Sequence, residues 1–137
     1  YLKEENIQTV NQKWNLDNPE FDKYLAIGFN GSGDPISLNQ INQELIYLNH
    51  DNEFQEIFIN SDLKKFAHSV LRIQRFMNQI TKLTPDSFFE TEFSDKSFDN
   101  LLTDLKQIDS KIFEVDRSHW LITLDTLKWE REDERNN

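Results

Sequence analysis

The chain has 137 residues, no cysteine and a formal net charge of -10 at pH 7. The length suits one folded domain, and the missing thiols exclude disulfides, thiolate metal sites and a cysteine nucleophile. The acidic balance argues against tracking nucleic-acid phosphates, and the absence of any run of about 18 apolar residues argues against a membrane span.

The chain does not begin with Met, so Tyr1 is read as an internal residue of a longer protein. Between Glu4 and Trp14, the residues Ile7, Val10 and Trp14 recur at helical spacing, which predicts a short helix resting on the core. Asn15 to Pro19 is a loop by composition. Four short apolar runs follow, at Phe21–Ile27, Ile36–Leu38, Leu45–Leu48 and Glu56–Ile59. Their connections are short, so successive strands should be antiparallel neighbours in a four-stranded meander. The first connection holds all three glycines, at positions 28, 31 and 33. Glycine enters positive φ at no steric cost, so this stretch reads as strand, tight loop, strand. Asp34 reads as a turn-former that accepts backbone donors, and Pro35 as a strand start or edge.

Asn60-Ser61 supplies an N-cap and Asp62 an acidic first turn for a helix that should run to about Lys82. Its apolar face (Leu63, Phe66, Ala67, Val70, Leu71, Ile73, Phe76, Met77, Ile80) is broad and is expected to lie across the sheet. Lys64, His68, Arg72 and Arg75 form a basic stripe on its outer side. Residues 61–82 hold five Lys/Arg against one acid, a net of +4, so the remainder carries -14. The simplest reading of the stripe is a solvated face paired with internal acids; a partner contact or a phosphate site are the alternatives. Thr84-Pro85-Asp86 breaks the chain, and Phe88, Phe89 and Phe93 follow in a loop or short turn. Ser97 is the expected cap of a second helix with Phe98, Leu101, Leu102, Leu105 and Ile108 on one face. After a linker at 109–116, Ser118 is the expected cap of a third, with Trp120, Leu121, Leu124 and Leu127 inward. The charged tail 130–137 should fray.

The glycine pattern is G-x-x-G-x-G. No Lys-Ser/Thr follows it, and a strand rather than a helix comes next, so it is neither a P-loop nor a dinucleotide fingerprint. His50 and Asp51 bring an imidazole beside a carboxylate, the raw material of general base catalysis. Adjacent residues on an extended chain point to opposite faces, which disfavours a direct pair. Asp34 could reach His50 across the sheet end. No serine sits at a strand-to-helix elbow as an activated nucleophile. His50, His68 and His119 are scattered and give no metal-binding pair. The residues alone therefore assign no catalytic, metal or cofactor site. A hydrolase using His50 with Asp34 or Asp51 is the least favoured of three functions.

Three blocks in order carry a resemblance. They are Tyr24-x-x-Ile27-Gly28-x-Asn30-Gly31-Ser32-Gly33-Asp34-Pro35-Ile36, then Ile46-Tyr47-Leu48-Asn49-His50-Asp51, then Phe58-Ile59-Asn60-Ser61 with Phe66. The chain resembles the SUKH superfamily over about residues 14–128, with Trp14-Asn15 similar to the W-N element before that family's sheet. Ile108-Asp109 and His119-Trp120 resemble the "I-D-P … F-W" ending of one bacterial branch, with Ser110 in place of its Pro and His119 in place of its aromatic. The resemblance implies a single α+β domain, an antiparallel-rich sheet backed by helices. It implies a cytoplasmic, non-enzymatic immunity protein, monomeric or weakly dimeric, that binds and neutralises a bacterial toxin domain of nuclease or deaminase type. A regulatory interaction domain with a non-toxin partner is the alternative that the same superfamily supports. An acidic body suits a basic toxin. The partner-binding candidates are Asp34, His50, Asp51, Glu53 and Glu56.

Overall fold

The computed structural model describes residues 7–83, 89–91 and 93–136. The chain divides into two compact units, Tyr1–Leu63 and Lys64–Asn137. Among the described residues they hold a five-stranded antiparallel sheet, a two-stranded hairpin and four α-helices, an α+β protein.

The first unit is a meander. It comprises β1 (Gln8–Thr9), α1 (Val10–Trp14), β2 (Tyr24–Phe29), β3 (Pro35–Asn39), β4 (Leu45–Asn49) and β5 (Gln55–Asn60). The strands follow one another in the order β1-β2-β3-β4-β5, each antiparallel to the next. The four expected strands are present, and β1 adds a fifth by pairing Gln8 and Thr9 with Ala26 and Leu25. The first helix therefore starts only at Val10. Thr9 caps it, its hydroxyl accepting from the Gln12 N–H while the Gln12 side chain accepts from the Thr9 N–H. Residues 19–23 form a 3-10 turn, so β2 begins at Tyr24 rather than Phe21. Val10, Tyr24, Ile46 and Leu48 are buried together, with Trp14, Leu16, Phe21, Ala26 and Phe54 packed around them. The cross-strand row Leu25, Leu38, Leu45 places apolar side chains on the opposite face.

The glycines differ in their roles. Only Gly33 has a positive φ, +82°. Gly28 lies within β2 at a bulge: Ala26 pairs with Ser37 and Gly28 with Ile36, which leaves Ile27 as the extra residue. The expectation of positive φ across the cluster thus narrows to its last member.

The second unit contains α2 (Leu63–Ile80, starting at the boundary), β6 (Thr81–Leu83), β7 (Phe89–Thr91), α3 (Asp95–Ile108) and α4 (His119–Asn136). α2 ends at Ile80, and β6 and β7 form an antiparallel hairpin where the sequence suggested the end of the helix, to about Lys82, and then loop; Thr84-Pro85-Asp86 and Phe88 lie outside the described residues. The core gathers Phe76, Ile80, Phe93, Phe98, Leu101, Leu105, Leu124 and Leu127. Phe93 meets Phe76 edge-on at 5.3 Å and stacks on Phe98 at 5.5 Å. Only the C-terminal half of α2 buries the expected apolar face. Leu63, Ala67, Val70 and Leu71 are exposed. The basic stripe is broken as well: Arg72 turns to Asp104 of α3 (Nε–Oδ2 2.7 Å), whereas Lys64, His68 and Arg75 stay exposed. The cap of α3 lies three residues before the expected one: Ser94 takes that role by accepting from the Ser97 N–H, and the helix begins at Asp95. Ser118 does cap α4, accepting from the Leu121 N–H and donating to the Ile112 carbonyl.

α4 continues through the charged stretch expected to fray. Arg131 supplies the reason. Its guanidinium is buried over the Phe93 ring and donates to Asp95 Oδ1 at 2.8 Å. Asp95 itself is exposed. The cost of breaking this pair is therefore one-sided. Asp95→Ala strands a buried cation and should lower stability by about 1–2 kcal/mol, whereas Arg131→Met leaves a solvated carboxylate and should cost less than about 1 kcal/mol. In the same urea titrations, Gly33→Ala should cost about 1 kcal/mol because its φ is left-handed. Gly31→Ala should be near neutral and Gly28→Ala neutral or slightly stabilising, since a Cβ at either meets nothing within 4 Å.

Candidate functional site

The candidate residues come from one end of the meander. β3 and β4 pair Ile36 with Tyr47, and continuing that ladder past Pro35 carries Asp34 to the end of β4, where His50 follows Asn49. Asn30 holds Asp34 in place. Its side-chain oxygen accepts from the Ser32 N–H at 3.0 Å and the Asp34 N–H at 2.9 Å. Its amide donates to Asp34 Oδ2 at 2.9 Å. The other carboxylate oxygen accepts from the His50 N–H at 3.0 Å and from the His50 ring at Nδ1. Burial works to raise the pKa of Asp34, and the bonds from Asn30 and His50, with the histidine's charge, outweigh it, so the carboxyl sits below its ordinary value of 3.8.

His50 also lies near Asp51, with Nε2 3.3 Å from Oδ1. An extended chain would have separated these neighbours. Residues His50–Asn52 instead form a 3-10 turn, with the Asn49 side chain accepting from the Asp51 N–H. Glu53 and Phe54 follow with left-handed φ of 54° and 58°. That kink carries the Phe54 ring onto Phe21 at 5.7 Å. Glu56, on β5, accepts from the Tyr24 hydroxyl. Burial and this carboxylate together raise the phenol well above its ordinary value.

The five candidates divide by exposure. The Asp34 side chain is 7% exposed, against 40% for His50 and 80% for Asp51. Glu53 and Glu56 are exposed. Asp34 therefore acts on the surface only through His50. Among the described residues, the side-chain partners of His50 are Asp34 and Asp51, so both ring nitrogens face carboxylates and no nucleophile is bonded to either. Among the described residues, no group of three or more His, Asp or Glu is placed to hold a metal ion. Among the described residues, two of the clefts lie elsewhere. One, of about 180 Å³, opens beside Trp14, Gly28 and Phe29. The other, of about 390 Å³, lies against α4 at Leu121, Asp125 and Trp129. Sequence reading placed Leu121 inward and passed over Trp129. It also passed over Asn30, whose position four residues before Asp34 in a glycine turn was the available signal.

Asp34→Asn keeps one acceptor but sets an amide N–H₂ against that of Asn30, and should cost about 1–3 kcal/mol. The folded-state pKa is depressed, so the wild-type contribution of Asp34 is complete above the unfolded value and is lost as pH falls through the lower folded value. Urea midpoints measured from pH 6 down to about pH 2 should therefore converge for wild type and Asp34→Asn at the acid end.

The comparisons with known proteins bear on what this corner serves. No curated protein and no solved structure matches the chain. The model of the SUKH-4 immunity protein family matches residues 3–126, which takes in the whole meander and the Asp34–His50 pair. With the antiparallel meander and its Gly loop in place, a match of this extent shows that the chain belongs to the SUKH-4 immunity protein family.

Proposed function

We propose that the protein neutralises a cognate bacterial toxin domain by stoichiometric binding, without catalysis, in the cytoplasm of the producing cell. Family membership is the observation that carries this reading. The toxin is basic, of nuclease or deaminase type: the net charge of -10 suits a partner built to hold nucleic acid, with protein carboxylates standing in for phosphates. The protein acts as a monomer or weak dimer. Its contact surface includes the exposed corner formed by His50, Asp51, Glu53 and Glu56, which Asp34 and Tyr24 fix from within. A hydrolase reading draws no support from His50, because carboxylates occupy both sides of its ring.

The test is co-expression with the toxin domain encoded beside this gene. Growth should be rescued, and the two chains should co-elute as a 1:1 complex. Combined reversal of Asp51, Glu53 and Glu56 to Lys should weaken binding by about tenfold or more and flatten its salt dependence. Killing that proceeds equally with and without the protein, and no co-elution, would overturn the immunity reading. Unchanged affinity in the triple variant would remove the corner from the contact.

A further inference from the structure

We infer that the outer face of α2 docks an acidic amphipathic helix of a protein partner other than the basic toxin. Ser69, Phe76 and Ile80 are buried and mark the inward side of α2. The other side carries Leu63, Ala67, Val70 and Leu71, at the i, i+4, i+7 and i+8 positions of one face. All four are exposed, Leu63 at 55%, Val70 at 38% and Leu71 at 60%. They form one stripe roughly 12 Å long. An amphipathic helix ordinarily turns its one apolar stripe to a core. Here Phe76 and Ile80, with Ile73 and Met77, already fill that role, so α2 has a second apolar side facing water. A contiguous apolar stripe left in water marks a contact surface, and its spacing is that by which one helix anchors on another.

Charge selects the occupant. Lys64, His68 and Arg75 run along one border of the stripe at steps of four and seven, and all three are exposed. Among the described residues, none of the three is paired with an acid, whereas Arg72 is already taken by Asp104. Residues 61–82 thus set a net +4 on a body of -14. A helix that lays apolar residues on the stripe and carboxylates along its border meets free cations here, where the rest of the surface would repel it. The narrowness of the basic border decides against wider occupants. A planar anionic membrane would bring its charge against the acidic body as well as against α2. A second copy of this chain would bring the same cations and a like overall charge of -10. The basic toxin proposed above suits the acidic surfaces, which leaves α2 for a separate partner.

The experiment is an NMR titration of the full-length ¹⁵N-labelled chain with a blocked, stapled helical peptide that carries leucines on one face and glutamates along its borders. Its glutamine twin, which keeps the shape and lacks the charge, is titrated in parallel. Amides between Leu63 and Arg75 should shift saturably with the glutamate peptide, and the glutamine twin should bind at least about fivefold more weakly. Leu71→Ser should weaken binding by about tenfold, and Lys64→Glu combined with Arg75→Glu by about tenfold or more. These side chains are exposed, so the variants should keep the wild-type urea midpoint, and Lys106→Glu, at an exposed position of α3, should bind as wild type does. No saturable shift on α2, or equal binding of the two peptides, would overturn the proposal. Sedimentation as a dimer that Leu71→Ser dissolves would overturn it by giving the face to a second copy. Binding to phosphatidylserine vesicles that is tighter than to the peptide and lost in the Lys64, Arg75 double variant would give the face to a membrane instead. Growth rescue from the co-expressed toxin should persist in Leu71→Ser; its loss there would make α2 part of the toxin contact and overturn the separate partner.

Discussion

A single buried carboxylate, Asp34, organises one end of the sheet. Asp34 receives hydrogen bonds from Asn30 on its own hairpin and from the backbone and ring of His50 beyond β4. A carboxylate taken out of water is tolerated only when donors replace its hydration. The β2–β3 loop and the turn after β4 therefore hold one geometry together. Gly33 supplies the left-handed step that lets the Asn30 carbonyl and side chain reach back across the loop. The consecutive left-handed residues Glu53 and Phe54 close the same corner, and the packing of Phe54 on Phe21 offsets their backbone strain.

The second unit solves a different problem. Its helices are amphipathic and meet in an aromatic core around Phe76, Phe93 and Phe98. Among the polar contacts that lock them are Arg72 to Asp104 between α2 and α3, and Arg131 to Asp95 and the Phe93 ring between α4 and the start of α3. Each uses a cation from a segment that reads as a solvated charge run. Each cation is paired with a more exposed carboxylate, so both pairs are locally neutral.

On the proposed immunity reading, function follows from surfaces rather than from a reactive centre. The imidazole that invites a catalytic reading spends both nitrogens on carboxylates. On the proposed reading, the exposed acids at Asp51, Glu53 and Glu56 would offer a basic partner a charged corner for steering.

The sequence by itself determined the elements and the family. Alternating apolar runs with short connections dictated antiparallel strands, helical spacing marked α2, α3 and α4, and three ordered blocks carried the SUKH resemblance. These are local properties, set by one period of the chain or by neighbours in sequence. Tertiary structure decided everything that depends on a distant partner. Arg131 holds a charged helix end because Phe93 and Asp95 lie beside it. Half of the apolar face of α2 stays exposed because burial depends on what a face meets rather than on its pattern. Residues 50–52 form a tight turn that sets His50 between two acids; the sequence offered the approach of Asp34 to His50 across the sheet end, which the structure shows, and disfavoured the pairing with Asp51, which the turn brings about. Asp34 reads in the sequence as a turn-former; it becomes the clamp of the site only when the register of β3 on β4 brings His50 to it.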